Sequence, residues 1–189
     1  DEWDMGREDA VDIEAVILLD NSWSMCNDID NAYESMWAIK RALDKINAST
    51  TVVTFSHTTE LLYSADDRAD KRVPHRTLGN STDPYHSLRY ARSVLANSKR
   101  AIKILIPITD GVWSQSTDSD NIIRQLRQGG VLTALGMIGA PERTDENGVK
   151  KIVIDSHGCE VVRSITEMKQ LFLLARDMVK VGIDRNLSS

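Results

Sequence analysis

Signatures of several common protein classes are missing from this chain of 189 residues. Cysteine occurs only as Cys26 and Cys159, far apart and without metal-ligand spacing. Two free thiols are therefore expected rather than a disulfide, and cysteine use this low points to a cytoplasmic origin. The four histidines, His57, His75, His86 and His157, are scattered singly, so no zinc site is expected from them. The chain contains no Gly-x-Ser-x-Gly nucleophile turn, no Gly-Lys-Ser/Thr phosphate loop, no His-Glu-x-x-His pair and no Gly-x-Gly-x-x-Gly. These gaps remove the usual motif-based readings as serine hydrolase, nucleotide triphosphatase, zinc protease or dinucleotide enzyme.

Long apolar runs are missing too. A membrane helix needs ~20 apolar residues, and the longest candidate, Ile102 to Ile108, is interrupted by Lys103 and Pro107, so no membrane partner is expected. There is no basic excess. The net charge of -5 and pI of about 5.4 argue against a phosphate-backbone binder, and nucleic acid is not an expected partner. No signal peptide is recognised. A chain that starts at Asp1 rather than Met reads as a domain excised from a longer parent.

What is present is an ordinary globular composition, with 41% hydrophobic and 27% charged residues, in a length suited to one core. Residues 1–12 read as a lead-in, 13–182 as the domain and 183–189 as a frayed tail. Ala15 to Leu19 is a continuous apolar run, as in a strand covered on both faces. From about Ile29 the apolar spacing becomes helical, through Tyr33, Met36, Trp37, Ile39, Ala42, Leu43 and Ile46. Thr51 to Phe55 and Glu60 to Tyr63 read as a strand pair, and Asp66 to Pro74 as a polar, mixed-charge loop. A helix begins near Asp83-Pro84, a strand runs from Ile102 to Thr109, a helix from Asp118 to Gln128 ends at Gly129-Gly130, and Val131 to Ile138 is a strand. Lys151 to Asp155 is expected as a short last strand and Thr166 to Val181 as the closing helix. Glu142 to Gly148 has calcium-like oxygen content without the spacing of a calcium loop, and reads as a surface turn.

This alternation predicts an α/β fold: a doubly wound, mostly parallel central sheet flanked by helices, with one antiparallel edge strand. In such sheets the ligand crevice lies at the carboxyl ends of the strands where strand order reverses. Asp20 and Asp110 each stand at the end of an apolar strand and are expected to be neighbours. Asp20, Ser22 and Ser24 together offer a carboxylate and two hydroxyls, donors suited to hard ions such as Mg²⁺ or Mn²⁺.

Three segments carry the rest: Asp20-Asn21-Ser22-Trp23-Ser24, Gly79-Asn80-Ser81-Thr82-Asp83 and Thr109-Asp110-Gly111. In this order, at strand ends and a helix start, they resemble the von Willebrand factor type A domain family with its metal-ion-dependent adhesion site. The resemblance runs from about Ile13 to Val181. It implies a Rossmann-like fold in which Ser22, Ser24 and, in some states, Thr82 bind Mg²⁺ or Mn²⁺ directly, while Asp20 and Asp110 act directly or through water. An aspartate or glutamate of a partner protein would complete the metal's coordination. Asn80-Ser81 replaces a glycine pair frequent in the family, which leaves Ser81 open as an alternative to Thr82.

Trp23 replaces the glycine that many members carry between the serines. It reads equally as a ring folded over the first helix and as a partner-binding anchor. Tyr85 and Trp113 are expected on the same rim with the same choice. The short Leu-Asp-Asn-Ser-x-Ser-Met form resembles intracellular and microbial members, several of which work beside AAA+ ATPases, so such an ATPase is a candidate partner and a scaffold role in a larger assembly is equally open. The expected function is a non-enzymatic, metal-dependent interaction module. A Mg²⁺-dependent phosphoryl or ester hydrolase is the alternative, against which stands the lack of a supported general base, and a structural module without metal is the third reading.

Overall fold

The strand β1 (Ile13–Asp20) is buried along all eight residues, which is possible only with strands on both edges and helices on both faces. The computed structural model describes residues 12–68, 78–111, 113–114, 116–139, 142–152 and 155–189. β1 pairs in parallel with β2 (Ser49–Phe55), which pairs antiparallel with the edge strand β3 (Thr59–Tyr63). On its other side β1 pairs in parallel with β4 (Ile102–Thr109), followed outward by β5 (Leu132–Ile138) and, past the small β6 (Glu142–Thr144) and β7 (Lys150–Ile152), by β8 (Val161–Ile165). The order β3-β2-β1-β4-β5-β8 is the expected mostly parallel sheet with one antiparallel edge.

Side chains of a strand alternate between faces, and β1 feeds two cores accordingly. Ala15, Ile17 and Leu19 join Met36 and Leu43 of α1 (Ile29–Lys45) and Leu174 and Met178 of the last helix, while Val16 and Leu18 join Leu88 and Leu95 of α2 (Tyr85–Asn97) and Ile123 of α3 (Ser116–Gln128). The last helix, α4, spans Lys169–Leu187. Glu14 and Lys40, charged groups caught in these layers, are satisfied, as burial requires. Glu14 accepts hydrogen bonds from Ser49 and Ser98 at 3.0 and 3.2 Å, and the fully buried Lys40 donates to the Thr50 carbonyl at 2.9 Å and pairs with Asp44 at 3.0 Å.

Three expectations need correction. The short strand expected over Lys151–Asp155 is not the last strand of the sheet: β7 pairs antiparallel with β6 in a separate hairpin, and β8 closes the sheet. Arg163 and Ser164 interrupt the apolar pattern of β8, an edge strand only half covered, so periodicity does not reveal it. The tail after Gly182 is not frayed, because α4 continues to Leu187. Of the surface turn expected over Glu142–Gly148, Glu142–Thr144 is instead strand β6, and the turn is confined to the residues after it, where Asp145 accepts the amides of Asn147 and Val149 at 2.9 Å each. Residues 1–11 of the lead-in, 69–74 of the polar loop and 153–154 of the expected strand lie outside the described residues. Both cysteines are free, Cys26 exposed and Cys159 buried. Among the described residues, no helix is long and apolar enough to cross a membrane.

Candidate metal centre

The chain reaches β2 and β3 on one side of β1, then crosses to β4 on the other, so strand order reverses between β1 and β4. A crevice opens at the carboxyl ends of such a pair. Leu19 is in register with Ile108, which makes the next residues, Asp20 and Thr109, neighbours at that end. Thr109 donates its hydroxyl to Asp20 Oδ2 at 2.6 Å, and the Ser22 amide donates to Oδ1 at 2.8 Å.

Beyond Asp20 the chain is steered by backbone bonds. The Asn21 amide donates to the Phe55 carbonyl at 2.7 Å, the Gly79 amide to the Asn21 carbonyl at 3.0 Å, and the Trp23 amide to the Gly79 carbonyl at 2.8 Å. Ser22 and Gly79 thus form a one-residue parallel bridge. Only glycine fits at 79, since a Cβ there would lie 2.0 Å from Ser56 Oγ and 2.3 Å from Ser56 Cβ. A single 3₁₀ turn, Trp23–Met25, then leads toward α1.

The hydroxyls form a directed chain. Ser24 donates to Asp110 Oδ1 at 2.9 Å, and its oxygen lies 3.0 Å from Ser22 Oγ. A serine has one proton to give, so Ser22 is the donor to Ser24. Four of the expected ligands, Asp20, Ser22, Ser24 and Asp110, therefore meet in one linked group. Thr82 makes no side-chain hydrogen bond to this group, and its backbone places it. Its carbonyl accepts the Ser114 amide at 2.8 Å, and the next amide, of Asp83, donates to the Ser56 carbonyl at 3.2 Å, so its segment is tied both to the end of β2 and to the stretch after Asp110. Thr82 and Ser81 are both half-buried.

Asp20 has no exposed surface. Burial pushes its carboxyl above the ordinary 3.8, the Ser22 and Thr109 hydrogen bonds pull it partly back, and the neighbouring Asp110 raises it further. Among the described residues no cationic side chain offsets either aspartate. A buried carboxylate beside a second one is costly without a counter-charge, and the nearby donors are neutral hydroxyls. This donor set fits a hard dication, which would supply the missing positive charge and hold an anionic oxygen from outside.

The three expected rim aromatics diverge. Trp23 is 67% exposed. Tyr85 is half-buried, edge-on to His86 at 5.5 Å, with the Arg89 guanidinium 5.8 Å from its ring. Trp113 is a correction: it is 3% exposed, because the chain after Asp110 carries it inward against Phe55, edge-on at 6.2 Å, and onto the His157 ring, stacked at 3.9 Å. It cannot touch a partner. Motif reading missed Thr109 as the residue orienting Asp20 and Gly79 as the residue packed against Ser56 and bridged to Ser22. Thr109 was the more legible of the two, since Asp20 and Thr109 both stand at the last position of strands expected to be neighbours.

A model of the von Willebrand factor type A domain matches residues 14–173. No curated protein matches the sequence. Among solved structures, proximal thread matrix protein 1 from the mussel byssus, with a zinc-occupied MIDAS motif, superposes with a TM-score of 0.64 at 19% identity, covering 91% of this chain and 46% of that one. The chain thus spans about half the length of the mussel protein. A conserved hypothetical protein, BatB, from Bacteroides thetaiotaomicron superposes with a TM-score of 0.66 at 13% identity, covering 91% of this chain and 99% of that one. Manganese-loaded TRAP protein of Plasmodium vivax gives 0.59 at 14% identity, with 88% and 73% covered.

Proposed function

The chain belongs to the von Willebrand factor type A domain family, and from that membership we propose that it is a metal-dependent protein-interaction module without catalysis of its own. In this reading Asp20, Ser22, Ser24 and Asp110, with Thr82 alongside, hold a divalent ion whose open position takes an aspartate or glutamate of a partner protein. The observation that carries it is the linked group of two carboxylates and two hydroxyls at the β1–β4 crevice, with Ser24 and Trp23 exposed beside it.

Each residue has a part in this reading. Thr109 and the Ser22 amide fix the orientation of the Asp20 carboxylate. Ser24 ties the loop after β1 to Asp110 after β4, so that the two strand ends act as one platform. The bridge at Gly79 brings the Thr82 segment against the same loop. All-oxygen donors favour Mg²⁺ or Mn²⁺, and relatives of the same fold that carry zinc or manganese support a metal of this charge. A ring-shaped AAA+ ATPase or a multiprotein assembly is the partner class to which the sequence resemblance points. A cytoplasmic setting belongs to the same proposal, resting on the two free thiols.

Calorimetry with Mg²⁺ and Mn²⁺ on the intact chain and on Asp20→Ala tests the metal. One equivalent bound by the former and none by the latter is expected, whereas no binding to either would leave a purely structural module. Partner capture in Mg²⁺, released by chelator and absent with Asp20→Ala, tests the interaction. Turnover of phosphate or carboxylic esters that requires metal and disappears in Asp110→Ala would overturn the non-enzymatic reading in favour of a hydrolase.

A further inference from the structure

Sequence spacing leaves His157 isolated, but folding does not. Its ring is fully buried in the loop before β8 and lies flat on the Trp113 indole, 3.9 Å away and 13° from parallel. Nδ1 faces two carboxylates, Asp120 Oδ1 of α3 at 3.0 Å and Asp155 Oδ2 at 3.7 Å. One nitrogen and two oxygens thus lie within 4.8 Å of one another. We infer that Asp120, Asp155 and His157 form a second divalent-metal site, distinct from the β1–β4 crevice and suited to a borderline transition ion of the zinc class.

The spacing is the first reason. Zinc binds imidazole nitrogen and carboxylate oxygen at about 2.0–2.2 Å, and tetrahedral geometry then sets its donor atoms roughly 3.4 Å apart. The distances of 3.0 and 3.7 Å straddle that value. Proton counting is the second. Nδ1 can carry one proton, which serves the oxygen at 3.0 Å, while the oxygen at 3.7 Å is beyond hydrogen-bond reach of that nitrogen. A dication would engage all three donors, and two carboxylates would balance its charge.

Chemistry separates this site from the first. An imidazole donor favours zinc-like ions over Mg²⁺, which takes oxygen. The donors are also held in advance. Asp155 Oδ1 accepts the His157 amide at 2.9 Å, Trp113 stacks on the ring, and Gly158, at φ +86°, lets the loop approach α3 so closely that a Cβ there would sit 2.9 Å from Arg124 Cγ. The Asp155 side chain is half exposed, leaving an approach for the ion from solvent. Nε2 is buried without a partner among the described residues. Metal-bound imidazoles normally gain support through that nitrogen, whose loss costs about 10–100-fold in affinity, so binding is expected to be weaker by that factor than at a fully supported zinc site.

The test titrates Zn²⁺ into the full chain carrying Asp20→Ala, or Asp110→Ala if the first variant melts early by circular dichroism, so that the crevice no longer contributes. One zinc equivalent is expected, no Mg²⁺ uptake, and at least about a 100-fold loss of zinc affinity when Asp155→Asn is added, since a ligand lost costs more than outer support. Co²⁺ gives a second readout: visible absorption of a nitrogen- and oxygen-ligated ion, absent with Asp155→Asn. Asp155 is exposed, so its amide leaves the fold intact. Zinc uptake unchanged by Asp155→Asn, or no zinc bound by the folded single variant, would overturn the proposal. Because Mg²⁺ binding by the wild type is read separately, failure here leaves the crevice untouched.

Discussion

Trp23 and Trp113 each stand three residues after an aspartate at the end of a buried strand, Asp20 in one case and Asp110 in the other, yet Trp23 is 67% exposed and Trp113 only 3%. The two stretches are held by different forces. After Asp20 the main chain does the holding, through bonds to Phe55 and Gly79, and the single 3₁₀ turn that follows spaces its three side chains about 120° apart. Only one of them can face the core, and Met25, with no exposure, takes that place. After Asp110 a backbone bond, from the Ser114 amide to the Thr82 carbonyl, is joined by a side-chain anchor, with Trp113 wedged between Phe55 and His157. A loop anchored by backbone can offer its side chains to a partner, whereas a loop anchored by an aromatic has used that side chain up.

The largest break in this contrast comes from Trp113→Ala. Removing a buried tryptophan from a packed core costs about 3–5 kcal/mol, and denaturant unfolding should show a loss of that size. The His157 ring would lose its stacking surface at the same time, so zinc uptake should weaken along with stability. A loss within about 0.5 kcal/mol, the range of ordinary surface substitutions, would mean that Trp113 does not anchor the stretch after Asp110.

Gly79→Ala attacks the other region through its backbone. The added methyl would collide with Ser56 Cβ as well as its hydroxyl, so a rotamer change cannot relieve the overlap. Over-packing of this kind costs about 1–3 kcal/mol. Because the Gly79 carbonyl holds the Trp23 amide, Mg²⁺ affinity should fall with stability, an effect that unfolding and calorimetry on the same variant can check together.

Thr109→Val is a smaller and more local change. Valine keeps the shape and removes the donor to Asp20 Oδ2. Loss of an outer partner of a metal ligand costs about 10–100-fold in affinity, so Mn²⁺ binding should weaken by that factor while the fold persists. This side chain also marks the boundary of what the sequence reveals. The apolar runs of β1 and β4 and the helical stripe of α1 were legible because each obeys one period and is buried along its length. Asp20, Ser22, Ser24 and Asp110 were legible because they lie at the ends of those runs. What was hidden depends on contacts between distant stretches. β8 carries Arg163 and Ser164 within its apolar pattern, Trp113 turns inward through a loop with no period at all, and His157 finds Asp120 only when the loop before β8 closes over α3.

The smallest effect on stability belongs to Trp23→Ala, and it sharpens the contrast most. An exposed side chain away from packing changes stability by no more than about 0.5 kcal/mol, so the unfolding midpoint should hardly move, in opposition to Trp113→Ala. Mg²⁺ affinity should also hold, since the ring supplies no donor and the Trp23 amide that pairs with Gly79 is retained in alanine. Partner capture should fall, because an exposed tryptophan beside a binding site is the kind of residue whose truncation costs at least about 2 kcal/mol at an interface, near 30-fold in affinity. Unchanged capture with unchanged stability would remove Trp23 from the binding surface and leave recognition to the metal and Tyr85. A stability loss above about 1 kcal/mol, outside the surface range, would mean that the ring folds back onto the protein, and the two tryptophans would then differ only in degree.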